Sequence, residues 1–277
     1  MRPTDEKKFI DLERMFQAKN PALYRWIPGF VFTALRRIIH EDDLNAFMKR
    51  HRNDDAFQFC KGVLDEIGVT FESLHAERIP ATGAYIMVCN HPMGAMEAMS
   101  LVTELQKVRK DIRFIVNDLL LNLENLKEIF TGVNKHGKTA LQSLKVVEEL
   151  FASEQLIILF PAGLVSRRQQ GVIQDLEWKK TFVTKARKYN KPVIPVYIEG
   201  RNSPWFYRIS QFRKLFGIKA NLEMFLLVDE MYRQRGKHLH IVFGNSIEPA
   251  TFTRDKSDEA WAAHVRGLTY ELKNNLK

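Results

Sequence analysis

The chain has 277 residues, of which 45% are hydrophobic and 27% are charged, so it is long enough to bury the core of an α/β domain. Lys and Arg (42) outnumber Asp and Glu (33), and the net charge of +9 indicates a polyanionic partner such as nucleic acid, anionic lipid or an acidic carrier. Two cysteines, Cys60 and Cys89, are too few for a disulfide framework. Since no apolar run reaches the ~20 residues of a membrane span or forms a signal peptide, the composition predicts a soluble or peripheral protein.

The first 75 residues are predicted to form a helical extension, and residues 21–40 are its most unusual part. That segment is rich in aromatic and aliphatic side chains, and its full charges are all arginines: Arg25, Arg36 and Arg37. Pro28-Gly29 predicts a break in the helix. Two interpretations remain open, a helix packed on the core or a segment at the surface of an anionic bilayer.

The rest of the chain alternates between predicted strands and helices. The strands are residues 84–89, 114–116, 156–160, 193–198, 224–228 and 240–243, and the helices are 95–110, 139–151 and 178–189. This alternation predicts an α/β fold with a mostly parallel central sheet flanked by helices and a helical N-terminal extension. We expect a single domain over 1–277, with the extension in 1–75 and the core in 80–250.

Residues 132–139 match the phosphate-binding pattern G-x-x-x-x-G-K-[ST], and Met224–Val228 followed by Asp229 matches the strand that would hold Mg²⁺. Together they would predict a nucleotide hydrolase. A phosphate-binding loop must leave a buried strand, however, and residues 121–131 are charged and helix-spaced. We therefore interpret the match as a basic turn before a helix.

A histidine and a carboxylate form a second candidate site. His91 follows the predicted strand 84–89 in a Pro/Gly turn, and Glu97 lies six residues later on the next helix. A neutral imidazole can remove a hydroxyl proton near pH 7, and a carboxylate on its other nitrogen fixes the tautomer and stabilises the imidazolium. A second strand-to-loop junction, residues 160–168, ends in Ser166 and two arginines that suit an anionic headgroup.

These segments, in this order, resemble the glycerolipid acyltransferase superfamily, whose best-known members acylate lysophosphatidic acid. Asn90-His91 with its downstream carboxylate is similar to the first block of that superfamily, in which the histidine is the base. Gly132–Lys135 is similar to the second block, Phe160–Ser166 to the third and Pro192–Val196 to the fourth. The resemblance covers roughly residues 80–250.

The chain is more similar still to a bacterial branch, often labelled hemolysin, that acylates lyso-ornithine or lyso-glycine lipids. The segments that carry this similarity are 19–21, 117–120, 134–138, 160–167, 177–180, 199–203 and 228–231. Glu97 stands where the branch has aspartate, so we expect its longer side chain to retract in order to orient His91. Ala162 and Val165 replace the Glu and Arg common in phosphatidic-acid enzymes, which favours an aminolipid acceptor.

The resemblance implies an O-acyltransferase in which His91 deprotonates the acceptor hydroxyl and Glu97 holds His91, with acyl carrier protein or CoA thioester as donor and no cofactor or metal. The residues it implies for substrate binding are Asn90, Gly94, Asn134, Lys135, Phe160, Pro161, Ala162, Gly163, Ser166, Arg167, Lys179, Arg201 and Asn202. The expected partners are acyl carrier protein, a lysolipid acceptor and the anionic inner face of the bacterial inner membrane. Two alternatives stay open: acylation of lysophosphatidic acid, and a lipid-binding protein that has lost catalysis.

Three other features carry weaker predictions. No DNA- or RNA-reading motif accompanies the basic charge, so no nucleic-acid partner is expected. Cys89, next to the histidine turn, is expected to pack at a strand end. His238 and His240 could face the same way on a strand, but no third metal ligand is near them in sequence.

Overall fold

A computed structural model of the chain describes residues 8–19, 21–133, 139–217 and 222–276. Five helices come first: α1 (Leu12–Lys19), α2 (Pro21–Trp26), α3 (Gly29–Ile38), α4 (Glu41–Arg50) and α5 (Ala56–Ile67). The break predicted at Pro28 is confirmed, because α3 begins at the next residue. Helix α5 starts in a capping box, in which the Asp55 carboxylate accepts from the N–H of Phe57 and Gln58. It ends at Gly68, whose φ of +68° suits glycine.

In the part of the chain that the structure describes, seven strands form one central sheet in the order β1-β9-β8-β2-β5-β3-β4. They are β1 (Thr70–Leu74), β2 (Tyr85–Cys89), β3 (Ile112–Asn117), β4 (Phe130–Val133), β5 (Leu156–Leu159), β8 (Val193–Ile198) and β9 (His238–Phe243), and β6 (Arg167–Gln169) and β7 (Val172–Gln174) form a separate hairpin. The pair β8–β9 is antiparallel and the other pairs of the central sheet are parallel. The mostly parallel sheet predicted from the sequence is confirmed.

Helices cover both faces of this sheet. The later ones are α6 (Met96–Leu105), α7 (Thr139–Ala152), α8 (Thr181–Tyr189), α9 (Pro204–Leu215), α10 (Leu227–Tyr232) and α11 (Asp258–Glu271). Buried side chains of α4, α5 and α6 pack on one face, and those of α7, α8 and α11 pack on the other. Strand β8, an inner strand of the sheet, is buried along its whole length, as expected for a strand covered by helices on both faces.

Three expectations about local structure were wrong. Residues 70–74 form an edge strand rather than part of a helical extension. Residues 224–228 are not a strand: they lie in a 3-10 helix (Leu222–Leu226) and the start of α10, because a short apolar run fits a buried helix as well as a strand. Phe130–Val133 is an edge strand that runs into the first two residues of the matched phosphate-binding pattern, although the charged, helix-spaced residues upstream argued against a strand.

The phosphate-binding interpretation nevertheless gains no support. Residues 134–138, the middle of the matched pattern, lie outside the described residues. Asp229, the predicted Mg²⁺ ligand, lies in helix α10 instead of at a strand end, and its carboxylate pairs with Arg233 and His40.

The topology brings three loops to one edge of the sheet. Strands β5, β2 and β8 are parallel neighbours, so the residues after them meet at their common C-terminal edge. These are the turn at His91, the loop that begins at Phe160 and the loop that begins at Glu199. Within the described residues, no helix is long and apolar enough to cross a membrane.

Candidate active site

The turn after β2 holds His91 against a buried carboxylate. The Nδ1 atom of His91 lies 2.8 Å from Oε1 of Glu97, and because an ionised carboxylate only accepts hydrogen bonds, Nδ1 carries the proton. Oε1 also accepts the backbone N–H groups of Met93 (2.9 Å) and Gly94 (2.7 Å). This tautomer leaves Nε2 of His91 with a lone pair, which is the form required of a general base.

Glu97 reaches His91 while completely buried. Burial by itself would raise the pKa of Glu97, but the hydrogen bond and charge of His91, together with the N–H groups of Gly94 and Met93, hold that pKa below its ordinary value. The carboxylate is therefore ionised at neutral pH. Three donors around one oxygen also show that the glutamate side chain fits this turn, although the resembling branch carries aspartate.

Gly94 allows the turn to close on the carboxylate. Its φ is +109°, and a Cβ atom added there would lie 3.2 Å from Leu227 Cδ2 and 3.3 Å from Val165 Cγ2. Any larger residue would strain the backbone and press on both neighbours. Gly94 also lines the cavity beside His91.

A stack of two aromatic rings packs against the imidazole. The ring of Phe160 stacks on His91 with centroids 4.4 Å apart and an angle of 25° between the planes, and Phe114 follows Phe160 at 6.4 Å. The stack packs against the face of the His91 ring, and the hydrogen bond to Glu97 binds its edge, so both packing and charge hold the base in place.

Asp175 is a buried residue of this site that the sequence analysis missed. Its Oδ1 accepts the backbone N–H of His91 (3.1 Å) and the hydroxyl of Ser166 (2.6 Å), and its Oδ2 accepts the indole N–H of Trp178 (2.8 Å). Asp175 thus ties the histidine turn to the loop after β5. Its position after the β6–β7 hairpin gives no periodic signal, so only the tertiary contacts identify it.

A cavity of about 630 Å³ opens beside His91. It follows the C-terminal edge of the strands past Val116, Leu159 and Phe160. On one side of the sheet its walls come from α4, α5 and α6, and on the other side from α7 and α8: Phe47, Phe59, Val63, Ala98, Met99, Val147, Phe151 and Phe182. The walls are mostly apolar, so the cavity suits hydrocarbon chains on either side of the base.

The loop after β5 places its predicted residues in two groups. Phe160, Pro161 and Gly163 line the cavity, whereas Ala162 is buried in the core beneath it. Gly163 has a φ of +66°, and a Cβ added there would lie 2.7 Å from Nζ of Lys179. Lys179 is exposed, also lines the cavity and puts its ammonium group at this rim.

Ser166 and Arg167 are buried, and the protein itself occupies their polar atoms. Ser166 donates to Asp175, as described, and its backbone N–H donates to the carbonyl of His91 (2.7 Å). The Arg167 guanidinium donates to the Glu223 carboxylate (2.9 Å) and lies 5.0 Å from the ring of Phe206. Both residues therefore hold the loops around the site together, and they do not line the cavity.

The remaining predicted residues lie near the loop after β8 or outside the described residues. The buried Asn90 amide bonds to both backbone groups of Ile198 (2.8 and 2.7 Å). Arg201 is exposed. Asn202 is buried, and neither polar atom of its side chain has a hydrogen-bond partner among the described residues. Asn134 and Lys135 lie outside the described residues.

Cys89 has no place in this chemistry. It is completely buried, and burial, followed by the charges of Glu97 and Asp175, raises the pKa of its thiol well above the ordinary value. The thiolate form that a nucleophile requires is therefore disfavoured. This agrees with the prediction that Cys89 packs at the end of the strand.

A histidine–glutamate pair beside a long apolar cavity suits an enzyme that acts on lipid chains, and comparison with known proteins gives its class. The chain belongs to the acyltransferase family, since the family model described as Acyltransferase matches residues 14–277. It is 38% identical over 271 residues to a lyso-glycine lipid O-acyltransferase of Bacteroides thetaiotaomicron, covering 97% of this chain and 100% of that protein. It is 40% identical over 271 residues to a lyso-glycine lipid O-acyltransferase of Phocaeicola vulgatus, covering 97% of both.

A solved structure is also similar to this chain. The 1-acyl-sn-glycerophosphate (LPA) acyltransferase, PlsC, from Thermotoga maritima matches with a TM-score of 0.48 and 18% sequence identity, covering 88% of this chain and 93% of that one.

Proposed function

We propose that the protein transfers a fatty acyl group from a thioester to the hydroxyl of a lyso-aminolipid, a lyso-glycine or lyso-ornithine lipid. The observation that carries this proposal is the His91–Glu97 pair at the wall of an apolar cavity. Two relatives at 38% and 40% identity that are named lyso-glycine lipid O-acyltransferases support the choice of acceptor.

In the proposed reaction, Nε2 of His91 takes the proton of the acceptor hydroxyl as its oxygen attacks the thioester carbonyl. The tetrahedral intermediate then collapses, the C–S bond breaks, and the departing thiolate takes the proton from Nε2. Glu97 stabilises the imidazolium that exists between these two steps. No acyl-enzyme forms, which agrees with the internal hydrogen bonds of Ser166 and the burial of Cys89.

The oxyanion of the intermediate requires a preorganised donor near His91. The loop Phe160–Gly163 supplies the candidates. Pro161 has no N–H, and the N–H of Gly163 donates to the Phe160 carbonyl at 2.9 Å. The N–H groups of Phe160 and Ala162 therefore remain as the proposed donors.

Binding of the acceptor headgroup is assigned to the rim of the cavity and the loop after β8. The ammonium of Lys179 beside Gly163 suits the carboxylate of a glycine or ornithine headgroup. The Asn202 side chain is buried without a partner among the described residues, and a buried amide gains most from a ligand that satisfies both its donor and its acceptor. Arg201, next to it, is the second cation of this region.

The donor is proposed to be an acyl carrier protein thioester, with CoA as the other possibility to be tested. The net charge of +9 supports an acidic protein partner, because opposite charges raise the rate of association. Lys135, outside the described residues, is the proposed contact for the phosphopantetheine phosphate.

The lipid acceptor also requires contact with a membrane, which we assign to the anionic cytoplasmic face of the inner membrane. In the segment 21–40, the side chains of Trp26 and Phe30 are 86% and 75% exposed, next to Arg25. Helix α9 exposes Trp205, Phe212 and Leu215 as well. Exposed aromatic residues beside arginine suit the interface of an anionic bilayer.

The function is tested by a product assay on the purified protein. Acyl carrier protein thioester or acyl-CoA is offered with N-(3-hydroxyacyl)glycine, its ornithine analogue or lysophosphatidic acid, and the lipids are measured by mass spectrometry. A diacylated aminolipid that is absent with His91→Ala is the expected result. Phosphatidic acid as the product would contradict the acceptor, and bound lipid without any product would mean that catalysis has been lost.

The membrane contact is tested separately with vesicles. Trp26→Ser/Phe30→Ser should reduce binding to vesicles that contain anionic lipid, while leaving turnover of a detergent-dispersed acceptor unchanged. Val172→Ser, on the separate β6–β7 hairpin, is the control for the loss of exposed apolar surface. Equal vesicle binding by the double variant and the unaltered protein would refute this assignment.

A further inference from the structure

Five polar side chains meet at the β1 edge of the sheet, four of them on β1 and β9 and one just after β8. His238 and His240 lie on β9, Glu72 is registered opposite His240 on β1, and Thr70 is opposite His238. Glu199 follows β8, and its backbone N–H donates to the carbonyl of His240 (2.8 Å). Because Phe71, Leu239 and Ile241 pack in the core on one face, the alternation of a strand puts the polar side chains on the other face.

One ring nitrogen of each of the two histidines contacts a polar side chain. Nδ1 of His240 lies 2.7 Å from the Glu199 carboxylate and Nδ1 of His238 lies 2.8 Å from the Thr70 hydroxyl. The carboxylate only accepts, so a neutral His240 donates Nδ1–H to Glu199 and keeps the lone pair on Nε2. The Thr70 hydroxyl can accept Nδ1–H of His238 in the same way, which would leave Nε2 of His238 available to a metal. This is the arrangement of metal-binding histidines, in which the second nitrogen donates to a carboxylate or another polar group.

The third ligand, which the sequence did not reveal, comes from the neighbouring strand. Oε2 of Glu72 lies 3.9 Å from Nε2 of His240, and one ligand atom each of Glu72, His238 and His240 lies within 4.8 Å of the others. Ligand atoms around tetrahedral Zn²⁺ lie about 3.3 Å apart, given bonds of about 2.0 Å. The Glu72 side chain is 66% exposed, so it is free to move the remaining distance.

We infer that Glu72, His238 and His240 form a binding site for a divalent transition metal of the Zn²⁺ type, with water as the fourth ligand and Glu199 and Thr70 orienting the two imidazoles. Two histidines and one carboxylate suit Zn²⁺ better than Ca²⁺ or Mg²⁺, which prefer oxygen ligands. The metal would link the edge strand β1 to β9. Its role is therefore stabilisation of this edge, independent of the acyl transfer proposed above.

A competing explanation for this cluster is that a proton on His240, in place of a metal ion, holds the carboxylates together. A protonated His240 between Glu72 and Glu199 would make an ion pair with both carboxylates and would require no metal. The two explanations differ in their response to added metal, because only the metal site would bind Co²⁺ or Zn²⁺ with a defined stoichiometry.

The experiment uses the full chain without a histidine tag, with Co²⁺ as a spectroscopic probe and Zn²⁺ as competitor. We expect one Co²⁺ per chain with the visible bands of a tetrahedral site, displacement by Zn²⁺, and a rise in Tm of about 5–10 °C at 100 times the Kd. His240→Ala and Glu72→Gln should abolish both signals. Glu199→Gln should weaken binding about 10- to 100-fold.

His264→Ala is the matched control, since His264 is an exposed histidine on α11 away from the three strands. Equal binding by Glu72→Gln and the unaltered protein, or loss of binding in His264→Ala, would overturn the inference. A Tm that does not rise with Zn²⁺ would overturn the inference as well. None of these measurements uses turnover, so they are independent of the proposed function.

Discussion

Replacing Glu97 by aspartate tests whether the length of this side chain is set by the turn that it closes. Aspartate is the residue of the branch that this chain resembles, so a substitution guided by resemblance alone would be expected to be harmless. The structure predicts the opposite. Oε1 of Glu97 meets three N–H donors at 2.7–2.9 Å, and the backbone of residues 91–97 is arranged around that oxygen.

Aspartate withdraws the carboxylate by one C–C bond, about 1.5 Å. The 2.8 Å contact with Nδ1 of His91 would then open to about 4 Å, which is beyond hydrogen-bonding distance. A hydrogen bond to a charged group contributes about 1.5–3 kcal/mol, and each 1.36 kcal/mol corresponds to about a tenfold change in rate. Glu97→Asp should therefore lower kcat about 10- to 100-fold, with KM little changed because Glu97 does not line the cavity.

The assay is steady-state turnover of the thioester with the accepted lipid, with thermal melts to verify folding. Glu97→Gln is the matched control: it keeps the length and an oxygen acceptor but removes the charge opposite the imidazolium. We expect it to lose at least as much activity as the aspartate variant. Full activity in Glu97→Asp, with an unchanged melt, would refute the claim that this contact orients the base.

Three further predictions concern stability. The folded-state pKa of Glu97 is lowered, so its ionised form stabilises the fold at pH values above the unfolded pKa of about 4.3, and this stability is lost as pH falls through the folded-state pKa. In urea denaturation, the free energy of unfolding should therefore fall more steeply below about pH 4.5 in the unaltered protein than in Glu97→Gln. Parallel curves for the two proteins would contradict this. Asp175→Asn replaces one of the two carboxylate oxygens with an NH₂ group, which would face buried donors in place of an acceptor. We expect a loss of about 1–3 kcal/mol in the free energy of unfolding and a lower kcat. An unchanged kcat would show that Asp175 does not support the histidine turn. Arg167→Met leaves Glu223 with Arg213 as its remaining charge partner, so we expect the loss of one charged hydrogen bond, about 1.5–3 kcal/mol in chemical denaturation. A neutral result would show that Arg213 alone compensates the Glu223 charge.

Local sequence patterns predicted much of the fold. The buried runs that became β2, β5 and β8 were recognisable because strands covered on both faces are continuously apolar. The short segments were not. Residues 70–74 and 130–133 are edge strands with mixed polarity, and the apolar run 224–228 became helical, because pairing partners far along the chain decide such cases.

The candidate site divides in the same way. His91 and Glu97 were identified from their spacing in a strand–turn–helix segment, and a contact between residues six apart depends mainly on local backbone geometry. Ser166 and Arg167 were identified as substrate-binding candidates by their residue types, yet their side chains bond to Asp175 and Glu223 inside the protein. Residue type indicates what a group can bind, and only the fold decides whether a partner within the chain is already bound.

The sequence by itself determined the class of fold, the histidine–carboxylate pair and the family, since all three depend on local periodicity and short motifs. The tertiary structure decided which carboxylate supports the turn from a distance, where the cavity runs, and that Glu72 stands beside His238 and His240. The physical reason is that these features join side chains from strands and loops that are distant in sequence, and the order of strands in the sheet is set by the packing of the whole chain.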